Sequence, residues 1–423
     1  MKDRQYSWVK SVVVLSFGWL LLYATRTVLS STLKDIGDYW GLSEGFLGLI
    51  SSSFFMAYTI LQIPSGFLSD RFGSKRVLLL GFAAQSLAIF FSAFARDQYQ
   101  FLGARVLAGA GQATYFACQH AIISVILPKE RRALGTAATV AGSALGTALG
   151  LLLGKFLGFY SFGWRLPFAV LGAMALAFVL AIALEVPETS GPHSVYPMKF
   201  INSSPSGDGA RQIAQAPQLP DNLGQANPGW TFLALMCASH FMTMYGFYLM
   251  LTWLPYYLET VRGYRGGLSA VIPTVMPLIM APATLAGGFV ADRLGSKKVV
   301  VNVALPLSAL ATAAIPLVKS TGGLLAALAL YGATGKLVID PGLIAYVGDN
   351  APLESRATIL SIFNFAGALA MAVAPAATGF LAESTGSFDL SFYAAGLFNI
   401  VALFTFAAAL KLLGNASRYG ERA

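Results

Sequence analysis

The stretch GFLSDRFGSKRV at residues 66–77 has a close copy, GFVADRLGSKKV, at residues 288–299. Each copy is a short polar turn between two long apolar runs. A second pair of similar stretches, PKERRA at 128–133 and PLESRA at 352–357, lies at nearly the same offset. The chain therefore contains two equivalent halves, and internal duplication of this kind is typical of membrane transport folds.

The composition indicates a membrane protein. Hydrophobic residues make up 56% of the chain and charged residues only 11%, whereas soluble proteins carry roughly 25% charged residues. A hydrocarbon core of about 30 Å needs about 20 apolar helical residues, and β-barrel alternation is absent. We predict an all-α polytopic membrane protein with twelve transmembrane helices, at 8–32, 45–66, 77–95, 99–127, 134–159, 165–185, 230–259, 267–291, 298–317, 322–348, 356–382 and 389–412.

The basic residues predict the orientation. Most of the 28 Lys and Arg residues fall in the termini and the even-numbered turns, so both termini are expected to be cytoplasmic. The formal charge of +9 then indicates attraction to anionic lipid, and we expect no nucleic-acid partner. The expected location is the cytoplasmic, or inner, membrane.

The two halves are predicted to be separate units joined by a linker. Residues 186–229 are rich in Pro, Gly, Ser, Asn and Gln and contain no stretch long enough to cross a membrane. We expect an N-terminal bundle at 1–185, a cytoplasmic linker at 186–229 and a C-terminal bundle at 230–423. The linker is either a hinge between rocking bundles or a plain tether.

The repeated turn, G-x-x-x-D-R-x-G-x-[KR]-[KR], resembles the signature of the major facilitator superfamily, and the resemblance covers essentially the whole chain. It implies two six-helix bundles, a substrate site between them near the membrane midplane, and alternating access. The polar turns Asp70-Arg71 and Asp292-Arg293 are then expected to act as a conformational gate.

A narrower resemblance is to the anion:cation symporter branch of that family, which includes sugar-acid carriers. It rests on Tyr23 to Arg26, on Arg105 with Gly109, Gly111 and Gln112, on Thr252 to Leu258, and on Asn364 to Gly367. Phosphate-ester antiporters also carry an arginine in the first helix and remain competitors. Sugar-acid symporters of this branch usually have an aspartate at the position of Thr25 and a glutamate at that of Gln112. The resemblance therefore supports anion recognition better than proton symport.

Charged residues inside the spans are the strongest candidates for function, because each costs about 2.5 to 3.5 kcal/mol at a helix centre. Arg26 shares a helix face with Tyr23, and its guanidinium can bind a carboxylate or phosphate through two parallel hydrogen bonds. The alternative for Arg26 is a structural pairing. Lys336, in the tenth predicted helix, is the second cationic candidate for substrate binding.

Asp340 is the acid that the sequence places deepest within a span. It lies four residues after Lys336 and can form an internal salt bridge with it. Alternatively, Asp340 is a proton-coupling group that responds when the substrate competes for Lys336. His240 is a second proton-coupling candidate, against the alternative of a packing residue.

Four further polar residues complete the expected substrate site: Arg105, Gln112, Tyr248 and Asn364. Arg105 lies near the end of its span, where it can either snorkel to the interface or contact the ligand. The duplication offsets place Gln112 opposite Lys336, and Arg26 opposite Tyr248. The halves thus present different chemistry at equivalent positions, as an asymmetric ligand requires.

These features predict a secondary carrier, not an enzyme. The sequence has no nucleotide loop, metal constellation or nucleophile triad, so we expect no cofactor and no metal. The predicted function is transport of a small organic anion such as a sugar acid, by proton symport, exchange or facilitated diffusion. Exchange of phosphate esters, efflux of amphipathic compounds and a non-transporting sensor are the alternatives. We expect a monomer whose partners are the anion, protons or a counter-anion, and lipid.

Overall fold

The computed structural model describes residues 8–127, 132–188, 229–294, 296–352 and 355–420, and they form helices joined by short turns. The first half contains α1 (Trp8–Trp40), α2 (Glu44–Phe72), α3 (Ser74–Ser92), α4 (Gln98–Ile126), α5 (Arg132–Gly158) and α6 (Arg165–Glu185). The second contains α7 (Trp230–Thr260), α8 (Leu268–Arg293), α9 (Lys297–Leu317), α10 (Thr321–Thr334), α11 (Lys336–Asn350), α12 (Arg356–Thr385) and α13 (Asp389–Gly420). Most of the predicted linker lies outside the described residues, so the domain boundaries stay a prediction.

The helices confirm an all-α polytopic membrane fold of two six-helix bundles. Within the described residues, ten spans are long and apolar enough to cross a membrane. The helix α4 is long enough but is not among those ten; it carries Arg105, Gln112 and Gln119, all of which are buried. Polar residues within a span point inward to a site or a packing contact, because lipid offers them no partner.

The tenth predicted helix is broken, which differs from the single helix expected over 322–348. The segments α10 and α11 meet at Gly335, whose backbone is extended at φ −74° and ψ −160°. Glycine has the poorest helix propensity after proline, and Pro341 follows in α11. Lys336 is therefore the first residue of α11 and still lies in the middle of the tenth span.

The signature turn of the first half is a sharp link between α2 and α3. Gly73 has φ +91°, a conformation that strains any residue with a Cβ atom. Lys75 Nζ donates a hydrogen bond to the carbonyl of Ala183 (2.8 Å), in the last turn of α6, and Arg76 pairs with Glu188 (2.9 Å). Lys75 thus caps α6, because cations stabilise helix C-termini, and Arg76 pairs with an acid just beyond that helix.

The predicted gate residues lie on the surface where they are described. Asp70, Arg71 and Arg293 are exposed, while the side chain of Asp292 lies outside the described part. Most of the echo at 128–133 and part of the echo at 352–357 are also outside it. The gate role of these turns stays a prediction.

A glycine stripe fixes α5 tightly against α1. A Cβ atom would lie 2.2 Å from the carbonyl of Ser16 at Gly142, and 2.2 Å from that of Leu20 at Gly146. Gly150 approaches the carbonyl of Ala24 in the same way, at 2.3 Å. Only glycine permits this separation, so the α1–α5 pair is a rigid support for residues on α1.

The two halves contact each other at the end of the molecule away from the chain termini, which we call the closed end. There Gly48 of α2 packs on the backbone of Pro375 in α12, and the Ala376 N–H donates to Ser52 Oγ (2.9 Å). Farther out, the Gly45 N–H donates to Glu383 (2.9 Å). We call the opposite end, where α1 begins and α13 ends, the terminal end.

Candidate functional site

A cavity of about 170 Å³ lies between the two halves. Its lining includes Tyr23 and Arg26 from α1, Tyr58 from α2, Tyr248 from α7 and Asn364 from α12. The cavity is smaller than the roughly 300 to 1,000 Å³ that drug-sized ligands occupy. Helices of both halves contribute polar groups to it, so a small polar solute can contact both halves at once.

Arg26 is the cation of this cavity, and its side chain is only 4% exposed. Its guanidinium lies over aromatic rings, with centroids at 4.7 Å for Tyr23, 5.2 Å for Tyr58 and 5.4 Å for Phe55. Among the described residues no carboxylate forms an ion pair with Arg26, and its Nε has no hydrogen-bond partner. The aromatic rings compensate the charge only in part.

Arg105 lies behind the same aromatic layer and is 1% exposed. Its guanidinium is 4.6 Å from the centroid of Phe54, and that of Arg26 is 5.7 Å from the same ring. Both arginines line one narrow cavity toward the closed end. The snorkelling option is therefore excluded. Nε and Nη1 of Arg105 lack hydrogen-bond partners in the described structure, which makes a second unneutralised guanidinium.

The remaining predicted residues divide between cavity and core. Tyr248 packs against Phe55 with ring centroids 5.0 Å apart and thereby joins α7 to α2. Asn364 is exposed to the cavity. Gln112 is buried in α4 and does not line the cavity, and neither atom of its amide has a hydrogen-bond partner within the described residues. The structure thus brings Tyr23, Arg26, Tyr248 and Asn364 together and sets Gln112 apart.

Lys336 and Asp340 form the ion pair that their spacing predicts, with Nζ and Oδ2 3.4 Å apart. Asp340 also lies 3.4 Å from His240 of α7, measured from Oδ1 to Nδ1. The ammonium of Lys336 is 5.2 Å from the ring centroid of Phe247. One buried carboxylate therefore faces two basic groups, and the C-terminal cation is neutralised where Arg26 is not.

The sequence interpretation missed an ion pair that joins the two halves at the closed end. Lys155 Nζ of α5 lies 2.8 Å from Glu259 of α7 and 3.3 Å from Asp35 of α1. Ser269 donates to the same Glu259 carboxylate (3.2 Å). The sequence does hold a signal for it, because Lys155 lies within the predicted span 134–159, where a charged residue is costly.

The comparisons with known proteins agree with this architecture. Residues 15–375 and 268–420 match the family model described as the Major Facilitator Superfamily. The hexuronate transporter of Bacillus subtilis is 28% identical over 407 residues, covering 91% of this chain and 90% of that protein. The "Probable anion transporter 3, chloroplastic" of Oryza sativa is 26% identical over 297 residues, covering 68% of this chain but only 56% of that protein.

A solved structure shows the same fold. The bacterial homologue of the human lysosomal transporter Spinster, in an inward-facing and unoccupied conformation, superposes with a TM-score of 0.73. The match covers 97% of each chain at 18% sequence identity. At that identity the similarity concerns the arrangement of helices only.

Proposed function

Because this chain belongs to the major facilitator superfamily and is a membrane transporter, not an enzyme, we propose that it is a secondary carrier of a small organic anion. The proposed substrate class is a carboxylate such as a sugar acid. Transport proceeds by alternating access, as the cavity between the two halves opens first to one side and then to the other.

The observation that carries this proposal is Arg26, a buried guanidinium in the central cavity without a described carboxylate partner. A cation at the centre of a span costs about 2.5 to 3.5 kcal/mol. An anionic solute removes that cost by supplying the missing partner through two parallel, charge-assisted hydrogen bonds. The aromatic rings around Arg26 hold its guanidinium in place before the anion arrives.

Lys336 is the proposed anchor in the second half. Its ammonium group leaves Asp340 and pairs with the acidic group of the substrate. Tyr23, Tyr248 and Asn364 bind the other polar groups of the substrate. A solute held by both Arg26 and Lys336 links the halves, so its binding can favour closure of the cavity. Arg105, behind Phe54, adds positive potential to the same region.

The orientation follows from the basic residues of the turns. With both termini cytoplasmic, the closed end faces outward, and the cavity faces the cytoplasm. In this state the side chains of Asp70, Arg71 and Arg293 are exposed, and no ion pair with them is seen among the described residues. In the gate model they engage neighbouring helices when the cytoplasmic side closes.

The experiment is uptake into liposomes that contain the purified protein. The labelled solutes are D-glucuronate with one carboxylate, D-glucarate with two, glycerol 3-phosphate as a phosphate ester, and D-glucose as the neutral control. We expect uptake of a carboxylate and none of glucose, and Arg26→Ala to abolish the uptake. Uptake of glycerol 3-phosphate alone would replace the sugar-acid proposal with phosphate-ester exchange, since a guanidinium also binds phosphate.

Two matched variants make the result specific. Arg26→Lys keeps the positive charge but cannot form two parallel hydrogen bonds to a carboxylate, so we expect partial uptake activity. Arg96→Ala removes an exposed arginine of the same half and should leave uptake unchanged. Carboxylate uptake by Arg26→Ala at the rate of the unmodified protein would refute the anion site.

A further inference from the structure

We propose that His240, Asp340 and Lys336 form a proton-binding site in the second half, which couples entry of one proton to binding of the anion. The inference rests on the proposed function and specifies its driving ion. It assigns the coupling to the C-terminal half, whereas the unneutralised arginines of the substrate site lie in the N-terminal half.

The geometry gives one carboxylate two competing basic partners. Asp340 Oδ1 is 3.4 Å from His240 Nδ1, and Asp340 Oδ2 is 3.4 Å from Lys336 Nζ. The side chains are 11% exposed for Asp340 and 2% for His240. Neither Asp340 Oδ1 nor His240 Nδ1 has a hydrogen-bond partner among the described residues. A proton placed between these two atoms would supply the hydrogen bond that is missing.

His240 is held directly behind the wall of the cavity. Its ring stacks on Phe363 with centroids 4.3 Å apart and planes at 17°. Gly367, which lines the cavity, also lies against the ring. A Cβ atom at Gly367 would lie 2.2 Å from His240 Nε2. The absence of a side chain at residue 367 therefore brings the imidazole close to the solvent of the cavity, from which a proton can arrive.

Few other titratable groups face this cluster. Those identified in the described part are phenols from three helices: Tyr23 from α1, Tyr248 from α7 and Tyr331 from α10. An ordinary phenol carries no charge near neutral pH. The exchange of charge therefore takes place among Lys336, Asp340 and His240.

The charges explain how proton and anion are coupled. With neutral His240, the charges of Lys336 and Asp340 cancel, and Lys336 is held by Asp340. When a proton binds between His240 and Asp340, the cluster gains one positive charge and Lys336 is released from its partner. A carboxylate group of the substrate can then bind Lys336 and restore neutrality. Proton and anion therefore load together, and loss of either one returns Lys336 to Asp340.

Transport in liposomes tests the coupling separately from the binding. We expect a gradient of about one pH unit, acid outside, to accumulate D-glucuronate about tenfold in the unmodified protein. Asp340→Asn imitates the protonated cluster, so it should retain counterflow exchange but only equilibrate D-glucuronate under the gradient. His240→Gln should also lower the accumulation of D-glucuronate under the pH gradient. His120→Gln, on α4 of the other half, should accumulate like the unmodified protein.

Three outcomes overturn the inference. Asp340→Asn could accumulate D-glucuronate as well as the unmodified protein does. Accumulation could be lost in the His120→Gln control to the same extent as in His240→Gln. The unmodified protein could also transport D-glucuronate in an Arg26-dependent way without any response to the gradient, in which case the proposed function stands and the proton site does not.

A measurement without substrate covers the case in which no tested anion moves. Infrared difference spectra between acidic and alkaline protein should contain a carboxyl band that Asp340→Asn removes and His240→Gln displaces. That result supports the proton site even if the anion proposal fails. Spectra of Asp340→Asn identical to those of the unmodified protein refute it.

Discussion

Arg26 of the first half and Lys336 of the second are both cations in the middle of the membrane, but their surroundings differ. Arg26 is enclosed by aromatic rings and has no carboxylate partner among the described residues. Lys336 is paired with Asp340, which also faces His240. The first half keeps a permanent positive charge available, whereas the second half keeps a charge that must be released before it can bind.

The unneutralised arginine therefore governs how strongly an anion binds, whereas the lysine–aspartate pair governs when an anion can bind. An unneutralised buried charge destabilises the protein but attracts a ligand of opposite charge. A neutralised pair costs less, yet it responds to whatever competes for either partner. Substitutions that remove one charge at a time should therefore cost less stability in the first half than in the second.

The largest expected effect is on transport by Arg26→Met. Loss of the charge-assisted contact should reduce uptake of the carboxylate on the order of 100-fold, since removal of one partner of a buried charged contact costs about 2 to 5 kcal/mol. The same variant should lose less stability than Lys336→Met, because no carboxylate among the described residues is left unpaired when the guanidinium is removed. Uptake and thermal unfolding in detergent measure the two quantities. A loss of stability in Arg26→Met as large as that in Lys336→Met would contradict the absence of a fixed partner.

Lys336→Met should have the larger effect on stability. It leaves Asp340 without its cation, and breaking a buried pair costs about 3 to 5 kcal/mol. The double variant Lys336→Met/Asp340→Asn removes both charges and should recover most of that loss. Thermal unfolding of the single and double variants forms a double-mutant cycle, and equal stabilities of Lys336→Met and the unmodified protein would exclude a structural ion pair.

Lys155 extends the comparison to a cation that pairs across the two halves. Lys155→Met leaves Glu259 and Asp35 facing each other at the closed end, so we expect a shift of about 1 to 3 kcal/mol toward opening of that end. Distances between spin labels on α2 and α12 at the closed end measure the shift. Lys34→Met is the matched control, because the pair Lys34–Asp38 is partly exposed and lies within α1. An equal shift in both variants would rule out the role of Lys155 as a link.

The smallest effect is expected for a single hydrogen bond to a partly exposed carboxylate at the same end, where water screens much of the charge. The hydroxyl of Tyr256 donates to Glu44 (3.2 Å) and joins α7 to α2. Tyr256→Phe should shift the same label distances by about 0.5 to 1.5 kcal/mol. A larger effect than that of Lys155→Met would show that hydrogen bonds, not the buried ion pair, hold the closed end together.

Much of the fold could be predicted from the sequence, because hydropathy and turn chemistry are local. The positions of the spans and the doubling of the chain follow from apolar runs and two similar turns. The pairing of Lys336 with Asp340 follows from a spacing of one helical turn. The break at Gly335 was not predicted, since glycine is tolerated inside many membrane helices and only packing decides where the helix gives way.

The sequence by itself determined which cations enter the membrane and which helices carry them. Only the tertiary structure decided their partners. It placed Arg26 and Arg105 against the same ring, that of Phe54, brought His240 of α7 to Asp340 of α11, and joined Lys155 to Glu259 across the two halves. These contacts link residues far apart in the chain, and they depend on how helices pack, whereas the cost of a charge in the membrane depends on the residue itself.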